Sequence, residues 1–332
     1  MSTAPRSEIL FLYDCSYAIP NGDPFTGEQR YDDETKKILV SDVRIKRYIR
    51  DLIAQTSPGE IYVTNDPAEA PSPGKGQKTG PALIDVPADP QSQQKRSGKA
   101  VSVSGAAARA KHLAPDGMTI EAFRRLFDVR CFGGIVTGKN AAINLTGPVQ
   151  FALLNPSLNR VDLRMHQNTS VFASSTEKTR GAIGTTTVVP YAVLQIHGWI
   201  NAFSAQKTGL TSEDVNRMLR ALWESVNTVN TRTKANQNSL LLLHIIYSDP
   251  TAKLYGLDQV LKLSIPEGKR DEQLRGTDDY SLNFSALEER VINSPIVDRI
   301  EYYAEAPDVS EQIDRIAQRH AKLAPVQWHG AR

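Results

Sequence analysis

Apolar residues alternate with few interruptions over 8–18, "EILFLYDCSYA", and many are aliphatic or aromatic, which predicts a strand able to bury both faces. The run stops at 19–27, "IPNGDPFTG", where two prolines flank residues that tolerate positive φ, so neither strand nor helix continues. Asn-Gly is also a tight-turn signal, but Pro24, Gly27 and a polar stretch to Lys37 follow it instead of a second apolar run. On its own chemistry the stretch is an ordered loop and reads as a surface connection. Beyond it, Ser41 or Asp42 can cap a helix whose apolar residues Ile45, Ile49, Leu52 and Ile53 fall at i, i+4, i+7 and i+8.

The pattern then changes character. From Val63 to Ala122 there is no aromatic residue, and seven prolines punctuate a polar stretch carrying Lys95, Arg96, Lys99, Arg109 and Lys111. Such a segment has no core of its own and reads either as an insertion that makes contacts or as a solubilising linker. Regular patterning resumes with a short helix over 120–126 and strands over 129–136 and 142–154. A polar excursion, 164–187, separates these from the apolar strand 188–200, "VVPYAVLQIHGWI". Thr211 or Ser212 starts a helix with Val215, Met218, Leu219, Leu222 and Val226 on one face, and 239–247, "SLLLLHIIY", reads as a buried strand. A polar connection leads to a strand over 296–303 and a terminal helix over 309–323. This order of elements predicts an α+β sheet of the split-βαβ kind.

The balance of 39 Lys+Arg against 37 Asp+Glu is nearly neutral, so a nucleic-acid partner would be held by a local basic stripe and not by the field of the whole protein. Cys15 and Cys131, the only cysteines, sit in apolar runs and suit buried free thiols in a reducing compartment. No apolar run approaches the ~20 residues that cross a bilayer, and the first residues lack a signal pattern, so a soluble, cytoplasmic protein with no membrane partner is expected.

Tests for catalytic chemistry return little. The stretch 133–140, "GGIVTGKN", stops one residue short of a phosphate-binding P-loop: Asn140 stands where a Ser or Thr would ligate magnesium, and Gly147-Pro148 arrives before a long helix can form. The six histidines are scattered without metal-ligand spacing, and His197 and His244 lie in apolar strands as core residues. No Gly-x-Ser-x-Gly elbow is present. The expectation is a protein without cofactor, metal or catalytic residues.

Two stretches look like binding surface instead. On "SDVRIKRYIR", Arg44, Lys46, Arg47 and Arg50 fall on an arc beside the apolar stripe, which is either a solvated helix face or a phosphate-binding flank near a helix N-terminus. The polar excursion offers His166, Gln167, Asn168, Thr169 and Ser170 beside Phe172, which can stack on a base, with Lys178 and Arg180 on the return limb. Gly181 and Gly184 leave room for close backbone approach. Read alone, this piece is equally a solvent-exposed hairpin.

"PNGDP" after a first strand, "SDVRIKRYIR", "DVRCFGG", "NLTGPVQFALLNP" and "GAIGTTTVVPYAV" occur in that order, and together they resemble the backbone subunit of type I CRISPR Cascade complexes. This is the seventh CRISPR-associated protein family, and the motifs look closest to its type I-B branch. The resemblance spans residues 9 to about 202. It implies a modified RRM or ferredoxin-like palm (1–56, 118–163 and 188–332), a fingers insertion (57–117) and a thumb hairpin (164–187). It implies too that copies assemble head to tail on a CRISPR RNA, beside other Cascade subunits, and support guide pairing with target DNA in a prokaryotic cytoplasm. Carried over by motif, Ser41, Arg44, Lys46, Arg47 and Arg50 become candidates for guide-phosphate contact, and Gly184, Thr185 and Thr186 for the thumb base. Asn21 and Gly22 become candidates for the wall of an RNA groove. The sheet-borne aromatic motif of ordinary RNA-recognition domains is absent, which suits a grip on backbone and shape. A rival reading, from related type III subunits that cut target RNA with a loop aspartate and metal, would place that role on Asp23. A general single-strand-binding protein is a third.

Overall fold

The computed structural model describes residues 2–63, 119–137, 142–169, 183–326 and 328. The fingers assignment from residue 64 onward, and Gly138, Lys139 and Asn140 of the P-loop-like stretch, lie outside the described residues.

Strand β1 (Ser7–Ala18) runs through the middle of the main sheet. Its odd-numbered residues Ile9, Phe11, Tyr13 and Cys15 enter one core and its even-numbered Leu10 and Leu12 a second one on the other face, as the period of two requires. The loop after it folds on itself: Gly22 bridges to Gln29, and two short strands, β2 (Tyr31–Asp32) and β3 (Lys37–Ser41), pair antiparallel. Helix α1 (Asp42–Thr56) begins at Ser41, whose Oγ accepts from the Arg44 N–H, and buries Ile45, Tyr48, Ile49 and Ile53 against the first core.

The next stretch departs from expectation. Residues 129–136, read as one strand, are the end of a helix and the start of a strand. Helix α2 (Ile120–Arg124) is followed by α3 (Phe127–Phe132), then β4 (Gly133–Thr137) paired with β5 (Ala142–Thr146). Phe127, Asp128, Val129, Cys131 and Phe132 of α3 are all buried, so the hydrophobic pattern shows no helical stripe. Gly133, at φ 74°, ends the helix. The strand expected over 142–154 is cut by Gly147-Pro148 into β5 and β6 (Val149–Phe151), with β7 (Leu154–Pro156) turning away to pair with β3. A Cβ on Gly147 would fall 2.0 Å from the Phe132 carbonyl carbon, so only glycine fits at this corner.

β8 (Arg164–Thr169) pairs with the first part of β9 (Ile183–Ile200), from Arg164↔Val188 to Thr169↔Ile183. β9 then continues unbroken into the main sheet beside β1, so the hairpin limb and the core strand are one element. Helices α4 (Ala202–Thr208) and α5 (Ser212–Thr228) follow, the latter opened by a capping box between Thr211 and Asp214. β10 (Gln237–Tyr247) returns antiparallel on the other side of β1, and β13 (Val297–Tyr303) pairs with β10. The terminal helix is shorter than expected: α6 (Pro307–Ala317) gives way to β14 (Leu323–Pro325), parallel to β13. Main-sheet order is β14-β13-β10-β1-β9-β6.

Helices α1 and α5 cover one face of this mixed α+β sheet. The opposite face is covered by residues 254–292, which the sequence presents as a polar connection. They contain strands β11 (Lys262–Ser264) and β12 (Ser281–Asn283) and a short helical segment. Leu257, Leu261, Leu274, Leu282, Phe284 and Leu287 fill the core from there. Their apolar residues come in short, scattered groups among polar and charged ones, so no long window shows a sustained period. His197 and His244 are buried and satisfied, through Glu8 and through Ser7 and Glu301. Among the described residues no helix is long and apolar enough to cross a membrane.

Candidate nucleic-acid interface

β1 and β10 are antiparallel neighbours, so the end of β1 meets the start of β10, and the PNGDP loop meets the turn 231–234. Ile19 N–H donates to the Thr233 carbonyl (2.6 Å), and Lys234 Nζ donates to the Ile19 carbonyl (3.2 Å). The loop is tied to α1 by Asn21, whose Oδ1 accepts from both the N–H and the hydroxyl of Ser41 (2.7 and 2.9 Å). Asn21 N–H donates to Gln29 Oε1, and its carbonyl accepts from Arg30 N–H. Asn21 is 6% exposed, and Ser41 is occupied as helix cap and as donor to Asn21. These two residues, with Gly22 in its bridge to Gln29, build the loop wall.

Asp23 is also engaged. Its Oδ1 accepts from Phe25 N–H (2.9 Å) and Thr26 N–H (3.4 Å), and its Oδ2 lies 3.2 Å from Arg30 Nη2. That is an Asx-type turn, the ordinary work of an aspartate in such a loop. No group of three or more His, Cys, Asp or Glu side chains among the described residues is placed to hold a metal ion.

The four cations of α1 separate sharply by their partners. Arg50 donates to Asp128 Oδ2 (2.9 Å), a carboxylate with no exposure that also accepts from the Tyr62 and Val63 N–H groups. Lys46 bonds Asp42 (3.1 Å) and Gln150 (3.2 Å), and Arg47 bonds Asp51 (2.6 Å). Arg44 pairs with no carboxylate among the described residues. Its guanidinium lies 3.9 Å over the Tyr48 ring, and its Nε is buried without a hydrogen-bond partner.

Arg44 faces Lys234. Burial, and then the charge of Arg44, pull the Lys234 ammonium down to about 8 from lysine's ordinary 10.5. Two cations near enough for the charge of one to act on the other, neither paired with a described carboxylate, form a site that an anion would stabilise. In the same turn, Arg232 lines a cleft of about 260 Å3 together with Tyr17, Ile19, His166 and Thr186. Tyr17 is 63% exposed and holds φ 48°, a left-handed conformation that strains an aromatic residue.

The structure thus brings His166 and Thr186, paired across β8 and β9, to the cleft of Tyr17 and Arg232, beside the turn that carries Lys234. Gln167 and Thr185 form the next pair outward and are exposed. The backbones of Asn168, Thr169 and Gly184 belong to the hairpin. Phe172, Lys178 and Arg180 lie outside the described residues. Lys46, Arg47 and Arg50 are not brought in as free charges. Sequence reasoning missed Tyr17, Arg232 and Lys234. The signal was there in "TRTK", two cations in the turn leading into β10, once that turn is recognised as the neighbour of the loop after β1.

Residues 5–285 match the family model described as "CRISPR-associated protein Cas7". A curated relative from Haloferax volcanii, also described as CRISPR-associated protein Cas7, is 27% identical over 323 residues, covering 91% of this chain and 86% of the relative. The chain is also similar to two solved chains, one described as part of a "CRISPR RNA-guided surveillance complex, pre-nicking" and one of a "CRISPR RNA-guided surveillance complex". They are 16% and 13% identical and cover 76% and 93% of this chain and 83% and 99% of their own, each at a TM-score of 0.45, too distant to bear on function. With the family model spanning most of its length, the chain belongs to the Cas7 family.

Proposed function

We propose that this protein is a non-catalytic, CRISPR RNA-binding backbone subunit of a type I surveillance complex, assembling head to tail along the guide and supporting its pairing with target DNA. The observation that carries the proposal is the turn 231–234, where Lys234 feels the charge of Arg44 and Arg232 lines a cleft with Tyr17 and the base of the β8–β9 hairpin, on a chain of the Cas7 family. The order β10-β1-β9-β6, antiparallel throughout, with α1 after β1 and α5 after β9, supports reading the sheet as an RRM-like palm. The hairpin would then be the thumb. The motif resemblance favours the type I-B branch.

Physically, a guide must stay readable, so its protein should hold phosphates and riboses and leave base edges outward. Arg44 and Lys234 supply charge for one phosphate, and Tyr17 supplies a ring where the strand passes the hairpin. A head-to-tail contact that does not close repeats this grip along any sequence. The test is to purify the protein with the subunits encoded beside it and analyse the bound nucleic acid. A discrete short RNA, protected from nuclease at a regular interval, is expected. Absence of RNA, or magnesium-dependent cutting of complementary RNA that Asp23→Ala abolishes, would overturn the proposal.

A further inference from the structure

Tyr17 stands where the alternation along β1 changes sides. Ile9, Phe11, Tyr13 and Cys15 point into the first core, and a period of two would send residue 17 after them. Instead Ala18 takes the next place in that core, at 1% exposure, while Tyr17 is turned out and 63% exposed. The step between them is the left-handed backbone of Tyr17, at φ 48°. An L side chain is disfavoured there because its Cβ crowds the following carbonyl oxygen, and a bulky residue is rare in it.

The surrounding pairing holds the residue in that conformation. Ser16 N–H donates to the Asn236 carbonyl (3.0 Å) and Ile19 N–H to the Thr233 carbonyl (2.6 Å), so the backbone is pinned on both sides of Tyr17 to the segment leading into β10. On the other flank Ser16 pairs with Tyr191 and Ala18 with Val189. The residue opposite Tyr17 is therefore Pro190, which has no N–H to donate to a ladder. Glycine would hold the same backbone with less strain and would set no ring in water. The fold alone gives no reason for a tyrosine.

Its neighbours give one. Tyr17 shares a cleft of about 260 Å3 with His166 and Thr186 of the hairpin base and with Arg232, which is exposed and pairs with no described carboxylate. An open aromatic face beside an unpaired cation suits a single nucleic-acid strand: the ring stacks on a base, the cation meets a phosphate, and any base serves because each has a π-face.

We infer that Tyr17 is a stacking platform: its ring carries one base of the bound strand, Arg232 meets an adjoining phosphate, and the strained backbone keeps the ring out of the core and in the strand's path. This rests on the RNA-binding reading and adds to it a base contact indifferent to sequence. Contact through the face leaves the base edges free for pairing.

The experiment combines urea unfolding of the full chain with its binding to guide-length single-stranded RNA of two unrelated sequences. Tyr17→Gly removes ring and strain together. Its unfolding midpoint should equal or exceed that of the unaltered protein, while affinity for both RNAs falls about tenfold and the slope of log affinity against log salt stays the same. Tyr17→Phe keeps the ring and should bind like the unaltered protein. Arg232→Ala should lower the salt slope by about one. The inference is overturned, with the RNA-binding reading left standing, by a lower midpoint or unchanged affinity for Tyr17→Gly, by Tyr17→Phe binding as weakly as Tyr17→Gly, by a loss confined to one sequence, or by an unchanged slope for Arg232→Ala. If the unaltered chain binds neither RNA, the reading fails and the inference with it.

Discussion

Helix α1 and the turn 231–234 carry the same kind of residue and put it to opposite uses. On α1, Lys46, Arg47 and Arg50 each have a carboxylate within 3.1 Å, so their charge is spent on the protein itself. At the turn, Lys234 has a carbonyl and another cation for neighbours, and that cation is Arg44, the one α1 charge without a described acid partner. Density of Lys and Arg along a sequence therefore says little about where an anion binds. What decides is which charges the fold leaves without an acid.

The largest effect that breaks the comparison is expected at Asp128. Removing it by Asp128→Ala strands Arg50, 15% exposed, and two backbone N–H groups that link residues 62–63 to α3. Loss of one partner from a buried pair costs about 3 kcal/mol or more, so urea unfolding should show a large drop in midpoint. A drop below about 1 kcal/mol would mean Arg50 is not a structural cation, and would return it to the list of phosphate contacts.

The next effect is on RNA. Arg44→Ala combined with Lys234→Gln should weaken guide-length RNA about tenfold or more and lower the slope of log affinity against log salt by about two. Lys46→Ala alone should leave that slope unchanged. The reverse pattern would place the phosphate path along the outer arc of α1, as the sequence first suggests.

The difference between the two outcomes measures what the sequence could say. Strand β1, the capped helix α1, the amphipathic α5 and the run of β10 were legible, because each has a period or a cap that local chemistry enforces. α3 was not, since burial on all sides erases the stripe, and neither was the second core from 254–292, where short, scattered apolar groups are gathered by topology. In the site, the loop and α1 were visible as motifs. Tyr17 reads as an ordinary residue next to the end of a strand, and nothing local announces its positive φ. Arg232 and Lys234 gain their meaning from β1 lying beside β10.

A smaller effect uses Lys234 as a reporter. Its folded value, about 8, lies below its unfolded one, so the folded chain binds fewer protons between about pH 8 and 10.5. The cost of burying this charge is full below pH 8 and is relieved as pH rises, so folding stability without RNA should increase across that window. A phosphate beside Lys234 favours the charged form, so RNA affinity should fall over the same window, by a few-fold. Stability and affinity thus move in opposite directions with pH, and Lys234→Gln should flatten both. Parallel movement of the two would place the phosphate elsewhere.

The smallest expected effect is at Arg47, and it sharpens the comparison most economically. Arg47 and Asp51 are 35% and 42% exposed and sit one helical turn apart, a geometry worth about 0.5 kcal/mol at most. Arg47→Ala should move the unfolding midpoint hardly at all and leave RNA affinity and its salt slope where they were. Asp51→Ala, which frees Arg47 without removing it, is the informative partner. If charge without an acid is what makes a phosphate contact, freeing Arg47 changes RNA affinity only where the strand passes within reach of its guanidinium. No change in either variant would confine the path to the corner of Arg44, Lys234 and the hairpin base. A gain in affinity with Asp51→Ala would carry the path at least one turn further along α1.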